Sequence, residues 1–279
     1  MVYIVINSFL ILALIFLINL IVIGVVSIIN IKDEIPNQET IRASIQYVLS
    51  ITMLRNMAIW FFVTIATTFL LRISEKYGPG VLEDILLGKY HKPVKEKRIF
   101  MFLDIKGSTT TAEKIGHYKY FKLLRDFYAD LTDAIVYSKG EIYQYVGDEV
   151  VVSWKIKNGL KNNNCLNCFF EARKEITKQS SKYLMNYSIV PEFKAGIHIG
   201  TATVGEIGVL KKEIAFSGDV LNTTARIQNE CNNYNASLLI SKNLLDKLDI
   251  DEKFEVEEIG KIELRGKKVK TRLFSIQEK

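Results

Sequence analysis

The chain of 279 residues is 48% hydrophobic, has three cysteines and carries a formal net charge of +6. This length allows one ordinary domain with a membrane segment, or two small domains. A basic surplus without a platform of basic and aromatic residues gives weak support for nucleic-acid binding, so we expect no nucleic-acid partner. Cys165 and Cys168 form a lone C-x-x-C pair, which we interpret as packing residues in a reducing compartment.

The N-terminal part of the chain contains two long apolar stretches. Residues 2–29 include no charged side chain. As a helix they would extend roughly 42 Å, against roughly 30 Å for the hydrocarbon core of a bilayer. Residues 51–71 have the length of a span if Arg55 extends to the interface. The sequence therefore predicts a membrane anchor over residues 1–72, with transmembrane helices at about 4–29 and 51–71.

The distribution of cations predicts how these helices are oriented. The segment that follows the second helix is rich in them: Arg72, Lys76, Lys89, Lys92, Lys95, Lys97 and Arg98. The positive-inside rule places this segment in the cytoplasm. We expect a multi-pass protein of the cell inner membrane, with a connector at residues 73–97, a cytoplasmic domain at residues 98–279 and basic contacts to membrane lipid.

The stretch RIFMFLDIKGSTTT, residues 98–111, has the pattern of a buried strand that ends in a carboxylate, Asp104. Gly107 and a row of hydroxyl residues follow, and a helical pattern starts near Ala112. The backbone N–H groups of such a turn can bind phosphate oxygens, while the carboxylate can hold a divalent cation. The alternative is a buried strand that ends in an N-cap aspartate without any ligand.

A second carboxylate, Asp148, lies in the stretch EIYQYVGDEVVVSW, residues 141–154. We interpret this stretch as two strands joined by a tight turn at Gly147, Asp148 and Glu149. If the hairpin lies beside the strand that ends at Asp104, the two aspartates point at one spot. Two carboxylates repel each other unless a cation lies between them, which favours the metal interpretation.

The remaining pattern alternates helices with strands. We expect helices over residues 112–138 and 162–183, strands over 191–199, 201–207 and 214–217, and a last hairpin within 259–274. His198 lies among apolar neighbours in a strand and is interpreted as a core histidine. After Gly218, Asp219 is a plausible N-cap for a helix on which Asn222 and Arg226 share one face.

Three separated motifs, FLDIKGST, YVGDEVVVSW and SGDVLNTTARI, carry a resemblance to class III nucleotidyl cyclases, the adenylate and guanylate cyclase catalytic domain. The resemblance runs from Arg98 to Phe274. It implies an α/β (α+β) domain of the ferredoxin-like βαββαβ type, here preceded by the two predicted transmembrane helices. It also implies the conversion of a nucleoside triphosphate to the 3′,5′-cyclic monophosphate and pyrophosphate.

The resemblance also implies the site residues and partners. Asp104, Asp148 and the Ile105 carbonyl would hold two Mg²⁺ or Mn²⁺ ions per site. The substrate phosphates would contact Gly107, Ser108, Thr109 and Lys267, the ribose Asn222, and the α-phosphate Arg226, whose planar guanidinium suits that role. The family's site forms between two domains, so this single domain is expected to pair with a second copy as a homodimer.

Two positions depart from the family's pattern. The residues that read the purine correspond here to Gln144 and Ala215. Gln can donate and accept hydrogen bonds, so it does not choose between adenine and guanine, and Ala215 has no hydrogen-bonding side chain. We expect an adenylate cyclase, with a guanylate or pyrimidine cyclase or a non-catalytic membrane nucleotide sensor as alternatives. A diguanylate cyclase is disfavoured because no GG[DE]EF turn is present.

Overall fold

The computed structural model describes residues 13–18, 21, 42, 46, 51–77, 88–210, 212–264 and 270–279, with the side chains of 52, 53 and 72–77 excluded. The chain divides into two compact units, residues 1–83 and 84–279. Most of the first predicted span, the segment between the spans, most of the connector and Lys267 lie outside the described residues.

In the first unit, helix α1 covers Ile51–Tyr77. Its segment Leu54–Leu71 is long and apolar enough to cross a membrane, and it is the one such helix among the described residues. The side chains of Phe62 and Phe69 are 69% and 60% exposed. Length, composition and exposed apolar side chains therefore agree with the predicted second span. Within the first predicted span, the structure describes residues 13–18 and 21, which are helical.

The second unit is built on one eight-stranded sheet. Its first four strands follow the order β-α-β-β-α-β along the chain, and they lie in the spatial order β2-β3-β1-β4. The sheet then continues through β6, β8 and β7, with β5 paired to β4. The strands are β1 Val94–Ile105, β2 Glu141–Val146, β3 Glu149–Lys155, β4 Phe193–Ile207, β5 Glu213–Ser217, β6 Leu238–Ser241, β7 Phe254–Ile262 and β8 Thr271–Glu278.

Helices cover both faces of this sheet. They are α2 Ser108–Ile115, α3 His117–Tyr137, α4 Ile156–Leu160, α5 Asn164–Lys178, α6 Ser180–Tyr187, α7 Asp219–Asn233 and α8 Lys242–Leu245. Helices α3 and α5 bury apolar side chains with Ile99, Met101 and Leu103 of β1 in the main core. Helix α7 lies on the opposite face, where Val220 packs with Phe100. The sheet thus has a helix layer on each side, with β1 near its centre.

Four expected elements have different bounds in the structure. The hairpin predicted within residues 259–274 is longer, since β7 begins at Phe254 and β8 ends at Glu278. The helix predicted over 112–138 begins earlier, at Ser108, and is divided at Gly116, which has a φ of 83°. The helix predicted over 162–183 is divided between α5 and α6 at Gln179. The two strands predicted on either side of Gly200 form one continuous strand, β4, because Gly200 permits the close approach of a helix and does not form a turn: a Cβ there would lie 2.8 Å from Val220.

Arg98 was counted among the cations expected to contact membrane lipid, but the structure buries it in the sheet. Its side chain is 1% exposed and forms ion pairs with Glu96 and Glu141. Strand β1 begins at Val94, so the end of the predicted connector belongs to the sheet. Arg98 therefore ties β1 to β2 and is not a free cation for lipid contact.

Candidate active site

The structure brings Asp104 and Asp148 together. Asp104 lies near the end of β1, directly opposite Glu149 at the start of β3, and Asp148 immediately precedes that strand. Burial, followed by the close approach of Asp148, raises the pKa of Asp104 to about 6. Burial, followed by the charges of Asp104 and Asp148, raises the pKa of Glu149 to about 7. Three carboxylates therefore lie close together where β1 ends and β3 begins, and they concentrate negative charge there.

Beside this pair, the chain turns into helix α2 through Gly107. Gly107 adopts the left-handed region, with a φ of 63°, and no side chain caps the helix. The first helical hydrogen bond runs from the Thr111 N–H to the Gly107 carbonyl, at 2.9 Å. The N–H groups of Ser108 and Thr109 precede that bond, so they are available to an anion.

Two tyrosines of helix α3 border the pair, and neither was identified from the sequence. The Tyr128 hydroxyl donates to the Gly147 carbonyl at 2.9 Å, so it holds the turn that carries Asp148. The buried Tyr120 hydroxyl has no hydrogen bond of good geometry among the described groups, although it faces Ser108. Burial, followed by the charge of Asp148, raises the pKa of Tyr120 to about 12. The helical spacing of the two tyrosines is the one sequence signal that could have suggested a shared face.

Asp104 also receives two donors that the motifs did not reveal. The Nζ atom of Lys194, on β4, lies 3.4 Å from Asp104 Oδ2. The Nε2 atom of Gln228, on α7, donates to the same oxygen at 3.0 Å. Both contacts join segments far apart in sequence, so only the sheet register and the packing of α7 reveal them. A lysine within an apolar strand was the one available hint.

The donor set fits a hard divalent cation. Carboxylate oxygens are the ligands that Mg²⁺ and Mn²⁺ prefer, and such ions often retain waters or substrate oxygens as further ligands. Among the described residues, no group of three or more His, Cys, Asp and Glu side chains could hold a metal. An ion at Asp104 and Asp148 would therefore need ligands from elsewhere, and the uncapped N–H groups beside it suit a phosphate that could supply them.

Asn222 and Arg226 lie on helix α7, whose buried side chains include Thr224, Ile227 and Gln228. Asn222 is exposed and Arg226 is half-buried. The structure does not bring these two residues into a described contact with the aspartates of their own chain.

Gln144 and Ala215 lie on strands that an aromatic contact joins. The rings of Tyr143 and Phe216, their neighbours in sequence, lie 4.9 Å apart at 90°. The Phe216 N–H also donates to the Tyr143 hydroxyl at 3.3 Å. The structure therefore brings the two departing positions to one region of the sheet.

The buried cysteines and His198 belong to the core. Cys165 and Cys168 lie in α5 and are buried. Burial raises the pKa of each thiol to about 12. His198 is 8% exposed, and its Nδ1 lies 2.7 Å from the Ser241 hydroxyl oxygen. The packing interpretation of these residues is confirmed by their burial.

Comparison with known proteins agrees with the resemblance of the three sequence motifs to nucleotidyl cyclases. Adenylate cyclase 2 of Rhizobium meliloti is 35% identical over 208 residues, which cover 75% of this chain and 57% of that protein. Adenylate cyclase 1 of the same organism is 26% identical over 50% of this chain and 22% of its own length. The chain thus spans about half or less of the length of these relatives.

Solved structures share the fold. A bacterial light-regulated adenylyl cyclase has a TM-score of 0.66 at 18% identity, covering 82% of this chain and 66% of that one. The adenylyl cyclase CyaB from P. aeruginosa has a TM-score of 0.59 at 20% identity, covering 67% and 97%. The model of the adenylate and guanylate cyclase catalytic domain matches residues 91–277. With the aspartate pair, the uncapped helix and the three motifs in place, this match shows that the chain belongs to the class III adenylate and guanylate cyclase catalytic domain family.

Proposed function

We propose that this protein is a membrane-bound nucleotidyl cyclase that converts ATP to the 3′,5′-cyclic monophosphate and pyrophosphate for intracellular signalling. In the reaction, the ribose 3′-hydroxyl attacks the α-phosphate, and pyrophosphate leaves. The observation that carries the proposal is the contact between Asp104 and Asp148 beside the uncapped N-terminus of α2. A cation site next to an anion site suits a metal–triphosphate complex.

Each residue of the site has a proposed role. Asp104, Asp148 and the Ile105 carbonyl would hold two Mg²⁺ or Mn²⁺ ions. When bound, such ions supply the charge that lowers the pKa of the 3′-hydroxyl and neutralises the triphosphate. The N–H groups and hydroxyls at Ser108 and Thr109 bind phosphate oxygens, and the Tyr128 hydroxyl keeps the turn of Asp148 in place.

The other half of the site is proposed to come from a second copy of the chain. Gln228 binds Asp104 of its own chain. Arg226 precedes Gln228 by two residues on α7, so at about 100° per residue it lies about 200° around the helix from Gln228. Asn222, one turn before Arg226, lies on the same outward side. These two side chains are therefore free to act on the aspartates of a partner, where Asn222 orients the ribose and Arg226 donates to the α-phosphate. Two-fold symmetry gives two equivalent sites in a homodimer.

ATP is the proposed substrate because a relative with 35% identity is called an adenylate cyclase. Gln144 can pair with the edge of adenine through one donor and one acceptor. It can also pair with guanine or a pyrimidine, and Ala215 adds no discrimination. A guanylate or pyrimidine cyclase is therefore the alternative to be tested beside ATP.

Membrane attachment is proposed from the apolar helix at Leu54–Leu71 and the charge-free residues 2–29. The cytoplasmic side is assigned to the catalytic unit because it must reach nucleoside triphosphates. A reporter fused at Lys279 is expected to report a cytoplasmic location, and a reporter inserted near Pro36 is expected to report a location outside the cytoplasm. The reverse pattern would contradict this orientation.

Incubation of the purified full chain with Mn²⁺ and each of the four nucleoside triphosphates tests the proposed reaction. Mass spectrometry should find a cyclic monophosphate and pyrophosphate, with ATP as the best substrate. Asp104→Ala should abolish the product, whereas Asp130→Asn, which alters an aspartate that accepts from Lys182 and Tyr183 on the α3–α6 side, should retain it. Binding of ATP without any product would favour a nucleotide sensor.

A further inference from the structure

Lys194 places a buried positive charge beside the aspartate pair. It lies opposite Asp104 in the register between β1 and β4. Its side chain is 8% exposed, and its Nζ atom donates to Asn232 Oδ1 at 3.0 Å. A buried ammonium needs a counter-charge, and Asp104 is the one carboxylate in ion-pair range within the described part of the chain.

Gln228 makes a comparison possible because it binds the same atom. Its Nε2 donates to Asp104 Oδ2 at 3.0 Å, while Lys194 Nζ lies 3.4 Å from that oxygen. Gln228 is also buried, at 2% exposure. The two donors therefore share an acceptor and a degree of burial, and they differ in charge.

We infer that Lys194 is a resident counter-cation of the aspartate pair, which weakens the binding of divalent ions to the nucleotide-free enzyme. This inference rests on the proposed metal site at Asp104 and Asp148. The two carboxylates together carry a charge of about −2, which the ammonium reduces to about −1. Because a divalent ion is repelled by the ammonium at short range, its affinity is lower than the carboxylates alone would give.

The triphosphate has the opposite effect on this balance. Its negative charge, bound at the N-terminus of α2, restores the attraction that Lys194 removes. The aspartate pair would therefore hold divalent ions weakly before the nucleotide binds and more tightly once it is bound. Lys194 thereby couples metal binding to substrate binding without contacting the reacting atoms, and it is a positioning and charge-balancing residue.

Binding of Mn²⁺ alone to the full chain in detergent, without nucleotide, tests this inference. The electron paramagnetic resonance signal of free Mn²⁺ gives the dissociation constant. Lys194→Met should bind Mn²⁺ more tightly, by on the order of tenfold, since one unit charge near a divalent ion has an effect of this size even at high dielectric constant. Lys194→Gln, which keeps a polar group for Asn232, should show the same gain in Mn²⁺ affinity. It replaces the methionine variant in the test if that variant does not fold.

Two controls separate charge from packing. Gln228→Leu removes a neutral donor from the same oxygen and should show no gain in affinity. Lys182→Met removes another lysine–aspartate pair, whose Nζ–Oδ2 distance to Asp130 is 2.6 Å, and should also show none. Asp104→Asn added to Lys194→Met should abolish the gain, which places the extra ion at the pair.

Loss of a merely structural residue would leave Mn²⁺ affinity unchanged or lower it. Unchanged or weaker binding in the folded lysine variants would therefore overturn the inference, as would an equal gain in Gln228→Leu. If that happens while the wild-type chain forms a cyclic nucleotide, only the role of Lys194 is wrong. A wild-type chain that converts none of the four triphosphates would instead refute the proposed function.

Discussion

The Cβ atom that Gly196 lacks would lie 2.4 Å from the backbone nitrogen of Gln228. Strand β4 and helix α7 are therefore packed backbone to backbone at this point, with no room for a side chain. Because α7 carries Asn222, Arg226 and Gln228, the position of the candidate catalytic side chains depends on this contact.

Gly196→Ala should displace α7 and impair both stability and activity. Overpacking of this kind costs about 2 to 3 kcal/mol in the free energy of unfolding, and a displaced Arg226 should lower kcat at least about tenfold. Gly205→Ala is the matched control on the same strand, since its Cβ would meet Pro93 at an ordinary 3.4 Å. Equal stability and equal kcat for the two variants would show that the contact does not position α7.

The charge at the aspartate pair predicts how the metal-free protein responds to pH. The pKa of Asp104 is raised to about 6 and that of Glu149 to about 7. A raised pKa means that the folded state binds these protons more tightly than the unfolded chain does. Stability in EDTA should therefore rise as the pH falls from about 8 to about 5 through these groups.

Asp104→Asn mimics the protonated side chain. Because burial and Asp148 raise the pKa of Asp104 more than Lys194 lowers it, the loss of the pairing with Lys194 should be outweighed, and the variant should stabilise the metal-free protein at pH 8 by about 3 to 6 °C in Tm. The difference should shrink toward pH 5, where Asp104 is protonated in the folded wild-type protein. Saturating Mn²⁺ should reduce the difference in Tm between the variant and the wild type at pH 8, because the ion binds the folded wild-type site. A variant less stable than the wild type at pH 8 in EDTA would mean that Lys194 outweighs the repulsion.

Tyr128→Phe should lower kcat while the fold survives. It removes the hydrogen bond from the Tyr128 hydroxyl to the Gly147 carbonyl, 2.9 Å long. The loss should cost about 1 kcal/mol of stability and, by loosening the turn of Asp148, roughly threefold to tenfold in kcat. Tyr137→Phe on the same helix, with a side chain that is 83% exposed, should change neither. Indistinguishable kcat values for the two variants would remove Tyr128 from the site.

The parts of the fold that local patterns encode were predicted well. The apolar run before Asp104, the tight turn at Asp148 and the helix after Gly218 each depend on neighbours in sequence, and the structure has them in those places. Glycines were harder to interpret from the sequence. Gly116 divides a helix, whereas Gly200 lies inside a continuous strand because it faces Val220.

The surroundings of the site could not be predicted in the same way. Gln228 reaches Asp104 across 124 positions of sequence, and Lys194 meets it through the pairing of β1 with β4. No local pattern specifies such contacts, which follow from register and from the packing of α7. Arg98 was misplaced for the same reason, since its partners Glu96 and Glu141 are visible only once β1 and β2 share a sheet.

In the proposed homodimer, two copies of the chain build one cyclase site, with the aspartates from one copy and Asn222 and Arg226 from the other. Asp104→Ala and Arg226→Ala should each be inactive as homodimers, because both sites of each carry a defect. In a mixed dimer one site collects both defects and the other collects none.

Mixing the two variants is the most direct measurement. Random pairing gives about half mixed dimers with one intact site of two, so cyclic nucleotide formation should recover to roughly a quarter of the wild-type rate. A tagged pull-down confirms that mixed dimers form. No recovery in the presence of mixed dimers would contradict the account, because it would place both residues in the site of a single chain or remove Arg226 from catalysis.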